Sequence, residues 1–579
     1  MARTVAVGEQ DFGKIIEHDY FYIDKTLFIK EWWENGDTVT LITRPRRFGK
    51  TLTMHMLYYF FSVNAAGRSG LFAHLNIWKE EPYRKLQGTY PVIFLSFAAV
   101  KAASFEEAYM DICGFIAQEY RKYAFLLKED GIQMARGQFL RIMDGAVASV
   151  SECKAALQVL SEYLYRYYGK KVIILLDEYD TPMQEAYLNG YWDAFTGFIS
   201  GLFNFTFKTN PYLERALMTG ITRVSRESVF SDLNNLAVVT TTTKKYDTMF
   251  GFTEEEVIRA LDEFGLKEQM DGVKHWYDGF RFGTCASIYN PWSITQFLDE
   301  KVLAPYWANT SSNSLVGKLI REAGTEIKAA VEDLLQNKTV CTQMDEQIVF
   351  QELDVYDDAA WSFLLASGYL KIVSYHGIDP IYGRGGRYEL ALTNQEVLVT
   401  FRRLVQGWFA NQRYGYNSFL KALLAGDLKS MNVYMNKIAL ATISFFDSAK
   451  RPSAQTEPER FYHGFVLGMV VDLAGRYRVL SNRESGLGRY DVLLEPCSRG
   501  DDGIILEFKV FDEAEGEKSL KDTARAALRQ IIDKKYDTEL KARCGLEQIR
   551  IYGFAFRGKE VWIDGGCMEE FCETKMKQK

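Results

Sequence analysis

The chain has 579 residues, of which 47% are apolar and 25% charged, a composition that excludes a largely disordered protein. Lys and Arg number 69 against 76 Asp and Glu, giving a net charge of -7, so no global basic charge marks a protein that coats nucleic acid. No apolar run reaches the roughly 18–20 residues of a membrane helix, the N-terminal residues lack the apolar core of a signal peptide, and the eight cysteines form no CxxC pair, so a cytoplasmic protein with reduced thiols and no membrane partner is expected.

The first predicted element is a short β-branched apolar strand, Val39–Thr43, followed by a basic turn, Arg44 to Thr51, and a helix over 52–63. Further strands are predicted at 91–97, 172–176 and 215–221. Near-continuous apolar strands separated by helices imply a parallel sheet covered on both faces. Gly49-Lys50-Thr51 has the ending of a phosphate-binding loop, in which backbone N–H groups and a helix N-terminus hold phosphates, a lysine adds a cation and a hydroxyl sits on magnesium. Arg44 replaces the loop's first glycine, so its side chain must point away from the nucleotide, or the loop must take another path. The strand at 172–176 runs into Asp177-Glu178, the place where such ATPases keep a magnesium carboxylate and a base for the attacking water. The expected roles are Lys50 for the β/γ-phosphates, Thr51 and Asp177 for magnesium, and Glu178 as general base. Thr219 and Arg223, at the end of a later strand, suit a γ-phosphate sensor and an arginine finger, with Arg226 competing for the second role.

From about Thr253 helices are expected to dominate to about residue 350. Helix, strand (370–373), Gly-rich turn (377–386), strand (387–392) and helix then outline a winged-helix module or a generic α+β connector. Such a segment serves either to grip nucleic acid or as an internal clamp. The polar stretch 448–459, with two prolines, is the expected linker. Beyond it the predicted order is α-β-β-β-α-β, with strands at 477–482, 489–494, 503–510 and 549–556 and a helix over 523–536. Glu507 and Lys509 lie two apart on a strand and share a face. A carboxylate and an amine at the end of an apolar strand are costly unless used or paired. Asp491 on the adjacent hairpin strand can bring its carboxylate beside Glu507, an oxygen pair suited to magnesium, with Lys509 positioning the nucleophile or stabilising charge.

The segments Phe21 to Thr26, Thr43 to Thr51, Leu176 to Asp180, Gly220 to Arg223 with Asn234-Asn235-Leu236, Trp276 to Phe280 and Tyr289 to Ser293 resemble the bacterial AAA-ATPase-like family, and the resemblance spans essentially the whole chain. Arg44 in the phosphate loop is that family's own pattern. Members typically carry a C-terminal PD-(D/E)XK nuclease superfamily domain, whose signature Asp491 and Glu507-x-Lys509 resemble. The resemblance implies an α/β protein. Its parts are a P-loop NTPase parallel sheet (1–250), a helical lid (251–350), a winged-helix-like and helical connector (351–450) and a PD-(D/E)XK restriction-endonuclease-like domain (457–579). It further implies ATP and Mg2+ as cofactors. Arg47, Phe48, Gly49, Lys50, Thr51, Asp177 and Arg223 would bind the nucleotide. Gln530 and Tyr536 would support the nuclease site, and Glu484, or alternatively Glu459, would be a third acidic ligand. The expected partner is nucleic acid, DNA ahead of RNA, and a homo-oligomer is allowed. The rival expectation is a nucleotide-binding switch with a degenerate, non-cleaving nuclease-like domain.

Overall fold

A computed structural model describes residues 2–128, 136–145, 149–223, 230, 233–307, 315–317, 319, 325–335, 337–344, 357–376, 387–407, 413–442, 462, 466, 469–470, 473, 476–485, 488–497, 501–538, 540–541, 548–569 and 571. The expected linker 448–459, the turn 377–386, Arg226 and Glu459 lie outside the described residues. The chain forms two compact units, one of Met1–Leu319 and Thr339–Leu398, the other of Ile320–Lys338 and Val399–Lys579.

The first unit is built on a five-stranded parallel sheet of β1 (Val39–Thr43), β2 (Val92–Ser96), β3 (Val172–Asp177), β4 (Leu213–Gly220) and β5 (Leu236–Val239), in the order β2-β3-β4-β1-β5. Every residue of β1 and β3 is buried, which explains their unbroken apolar runs. The helix Lys50–Phe61 buries Met54, Leu57, Phe60 and Phe61 in a core shared with Phe28 and Trp32. Pairing sets Thr43 beside Gly220, and Ser96 beside Asp177, so polar residues collect at the carboxyl edge of the sheet. Ligands of open α/β sheets bind at that edge.

Past residue 250 the structure is less helical than expected. Helices Glu254–Glu263, Met270–Tyr277 and Pro291–Glu300 accompany a small sheet of β6 (Phe252–Thr253), β7 (Phe280–Phe282) and β8 (Cys285–Tyr289). The alternation Phe280-Arg281-Phe282 buries two rings against Phe48, and Gly283, at φ 51°, turns the hairpin. A second antiparallel sheet has the order β10-β11-β9, from β9 (Val340–Gln343), β10 (Leu370–His376) and β11 (Arg387–Leu392). The helix Asp357–Ala366, which precedes β10, buries Trp361, Phe363 and Leu364.

The second unit contains a mixed five-stranded sheet of β12 (Tyr477–Ser485), β13 (Gly488–Pro496), β14 (Gly503–Val510), β15 (Ile549–Arg557) and β16 (Glu560–Cys567), in sequential order. Only β14 and β15 pair in parallel. The helix Leu520–Asp533 connects them and packs Leu528 and Ile531 on Tyr490, Leu493, Ile505 and Ile551. It starts three residues before the expected position, because Ser519 in extended conformation and Asp522 form its first turn. Gly553 lets this helix approach, since a Cβ there would lie 2.3 Å from the Ala524 carbonyl oxygen. Strand β16 was not expected. Among the described residues, no helix is long and apolar enough to cross a membrane.

Candidate functional site

In the first unit Gly49, at φ 81°, takes a left-handed conformation that ends the turn and starts the helix at Lys50. Lys50 is buried, and its Nζ donates to the carbonyls of Arg44 at 2.8 Å and Pro45 at 2.9 Å. Burial pushes its pKa down, against the attraction of Glu178, Asp177 and Asp180. Thr51 Oγ1 donates to Asp177 Oδ2 at 2.7 Å, and the Thr219 hydroxyl donates to Asp177 Oδ1. Burial raises the Asp177 pKa, and the hydroxyls of Thr219 and Thr51 oppose the rise. Glu178 has φ 50°, and its Oε2 accepts from Thr181 Oγ1 at 3.1 Å. Asp180 is buried and accepts from the backbone N–H groups of Ile221 and Thr222, each at 2.9 Å, fixing the turn after β4.

Gly49, Lys50, Thr51, Glu178 and Thr181 line a cavity of about 510 Å³, within the roughly 300–1,000 Å³ of small-molecule sites, whereas Asp177, Asp180 and Thr219 are buried and are not among its lining residues. Arg46, Gly49, Lys50, Thr51 and Glu178 line its polar side; Tyr22, Ile23, Met56 and Met249 line an apolar side. Arg223, half-buried after Thr222, is not among the lining residues.

The loop arginines separate. Arg44 is fully buried behind the loop, donating from Nη1 to the carbonyls of Thr43 at 3.0 Å and Thr240 at 2.7 Å, with its guanidinium over Phe282. Burial pushes its pKa down to about 9. The side chain therefore points away from the cavity, as a loop lacking the first glycine requires. Arg47, at φ 66°, is exposed and lies over the Trp292 ring, 4.4 Å from its centroid. The Phe48 ring is buried among Phe280, Phe282 and Ile288, so its backbone is the part that can serve a ligand. Three residues missed in the sequence brace this loop. The Arg46 carbonyl accepts from Asn290 Nδ2 at 3.3 Å and Trp307 Nε1 at 3.0 Å. Glu396, fully buried, accepts from Ser293 Oγ at 2.8 Å and from the Trp307 N–H at 2.6 Å. Asn290 followed by Pro291 is a readable helix N-cap, but nothing local announces its bond to Arg46. Gly368, at φ 86°, brings the turn before β10 against the same loop: a Cβ there would lie 2.9 Å from Pro45.

In the second unit, β13 and β14 place Asp491 and Glu507 side by side. The Asp491 N–H donates to Glu507 Oε2 at 3.3 Å, and the Phe508 N–H donates to Asp491 Oδ2 at 2.8 Å. Gln530 Nε2, from the helix Leu520–Asp533, donates to Glu507 Oε1 and lies 3.4 Å from the Tyr536 hydroxyl. Glu507 is buried, whereas Asp491 and Lys509 are half-buried, so the pair opens outward. Burial, reinforced by Glu507, pushes the Tyr536 pKa up to about 12. Glu484 lies on β12, but its side chain is outside what is described. Among the described residues no three Asp, Glu, His or Cys side chains form a metal cluster. Two adjacent carboxylates still fit magnesium, which commonly takes one or two and keeps water for the rest.

Residues 6–230 match the AAA-ATPase-like family, described as predicted AAA-ATPases, and residues 457–565 match the PD-(D/E)XK nuclease superfamily. The chain is also similar to an uncharacterized protein in the vnfD 5' region of Azotobacter chroococcum mcd 1, at 25% identity over 562 residues and 96% of each chain.

Proposed function

From a chain that joins an AAA-ATPase-like region to a PD-(D/E)XK nuclease superfamily region, we propose a cytoplasmic, ATP-regulated, magnesium-dependent nuclease acting on nucleic acid, DNA ahead of RNA. The observation that carries the cutting activity is the convergence of Asp491 and Glu507 on neighbouring strands, with Gln530 orienting Glu507. In this reading Asp491 and Glu507 hold magnesium, which supplies charge neutralisation at a phosphodiester. Lys509, on the same face as Glu507, stabilises charge on the scissile phosphate or positions the nucleophile. In the first unit, Lys50 binds the β/γ-phosphates, Thr51 and Asp177 hold the magnesium that accompanies ATP, and Glu178 takes a proton from the attacking water. Burial of the helix Asp357–Ala366 against the unit's interior supports the internal-clamp use of that segment rather than grip on nucleic acid.

The test is metal-dependent cleavage of single-stranded, duplex and branched DNA by the whole protein. Glu507→Ala and Lys509→Ala are each expected to lower the rate by a factor of about 100 or more. Cleavage unchanged in both variants would remove these residues from the mechanism.

One observation favours a second reading, nucleotide binding without turnover: Lys50 is hydrogen-bonded back onto the Arg44 and Pro45 carbonyls. Phosphate release separates the two. Under the leading reading Glu178→Gln lowers it by about 100-fold or more; under the second, wild type and variant release equally little.

A further inference from the structure

Three arginines sit within four residues of the loop between β1 and the helix Lys50–Phe61, and the fold gives each a different place. Arg44 is sealed behind the loop by Thr240, Phe250 and Phe282. Arg47 also lines the cavity but is held over Trp292 at its wall. Arg46 is half-buried and lines the cavity with Lys50, Thr51 and Glu178. Its backbone is held by two distant side chains, Asn290 and Trp307, which both donate to its carbonyl. Asn290 is in turn fixed as the N-cap of the helix Pro291–Glu300, and Trp307 by Glu396. Lys50 and Arg46 thus share one cavity wall, and two like charges in one cavity repel less when an anion binds there. Among the described residues no ion pair answers Arg46.

We infer that Arg46 is a second phosphate-contacting cation, supplied from within the loop itself, that recognises the terminal phosphate of a nucleoside triphosphate. The inference rests on the nucleotide-binding reading above. A guanidinium presents a planar fork that matches two phosphate oxygens, which the Lys50 ammonium does not. One loop thus carries the point charge and the fork on one rigid support, and the third phosphate is what distinguishes a triphosphate from a diphosphate.

The experiment is equilibrium binding of a non-hydrolysable ATP analogue and of ADP, with magnesium, to the full chain and to its Arg46→Met and Arg46→Lys variants. Melting curves check that each variant folds. Arg46→Met is expected to weaken triphosphate binding by about 10-fold or more while ADP affinity stays within a factor of about 2, and Arg46→Lys to recover part of the difference. An unchanged triphosphate-to-diphosphate ratio in Arg46→Met, or an equal loss of both ligands, overturns the inference while leaving nucleotide binding intact as a reading. A wild-type protein that binds neither nucleotide overturns both.

Discussion

At Asp177 two opposing effects meet on one carboxylate. Burial favours the neutral acid, while hydroxyls from Thr219 and Thr51, one on each oxygen, favour the charged form. Removing a hydroxyl without changing shape leaves a buried carboxylate oxygen unsatisfied. Thr219→Val is therefore expected to destabilise the first unit by about 1–3 kcal/mol, read as a lowered urea midpoint. Lys50-Thr51 and Asp177-Glu178 were singled out in the sequence because each follows a local rule: a strand, a polar turn, a helix, or an apolar strand ending in acids. That Arg44 points away from the cavity is one of the two expectations for this loop, but what receives the side chain is not legible. The receiving residues are Thr240, Phe250 and Phe282, about 200 residues away, and periodicity carries no information across that separation.

Strand β16 shows the same limit for whole elements. The helix Leu428–Thr442 presents Asn432 and Asn436, one turn apart, to this edge strand. Asn432 Nδ2 donates to the Ile563 carbonyl at 2.8 Å, and its Oδ1 accepts from the Ile563 N–H at 2.8 Å. Asn436 does the same with Val561, at 2.7 and 3.0 Å. Two side-chain amides thus stand in for a neighbouring strand and satisfy an edge that would otherwise be open to pairing. Asn432→Ala with Asn436→Ala is expected to speed hydrogen exchange at the Val561 and Ile563 amides by roughly 5–30-fold, as a loss of one or two kcal/mol implies. Unaltered exchange would mean that packing of the helix, not the amides, protects the edge. Two asparagines four apart on a helix read as an ordinary polar face, and β16 contains Gly565 and Gly566, which weaken its strand signal. The helical expectation for residues beyond 250 misses β7, whose three residues are fewer than the roughly four to eight over which a strand pattern is read, and β8, whose Ala286 and Ser287 break the apolar run.

At the scale of the molecule, two units each carry a polar cluster able to bind a multiply charged ligand. The proposed regulation makes them separable by substitution. With Lys50→Ala, any effect of ATP on DNA cleavage should vanish while ATP-independent cleavage persists. With Glu507→Ala, cleavage should vanish while nucleotide affinity stays within a factor of about 2. Loss of both activities in either variant would point to a shared folding defect, and melting curves distinguish that case.

The chain's own apolar runs mark the first sheet as parallel and covered on two faces, and the order of elements outlines the second. The sequence by itself also marked where carboxylates, amines and hydroxyls gather, since a polar group at the end of an apolar strand stands out within a few residues. Beyond the expected pairing of Asp491 with Glu507 and the support from Gln530, only the tertiary structure decided which atoms those groups touch. Asn290 and Trp307 reach Arg46 across 244 and 261 residues. Such contacts follow from how helices settle on sheets, where shape and the need to satisfy buried polar atoms choose the partner, and no local spacing in the chain encodes that choice.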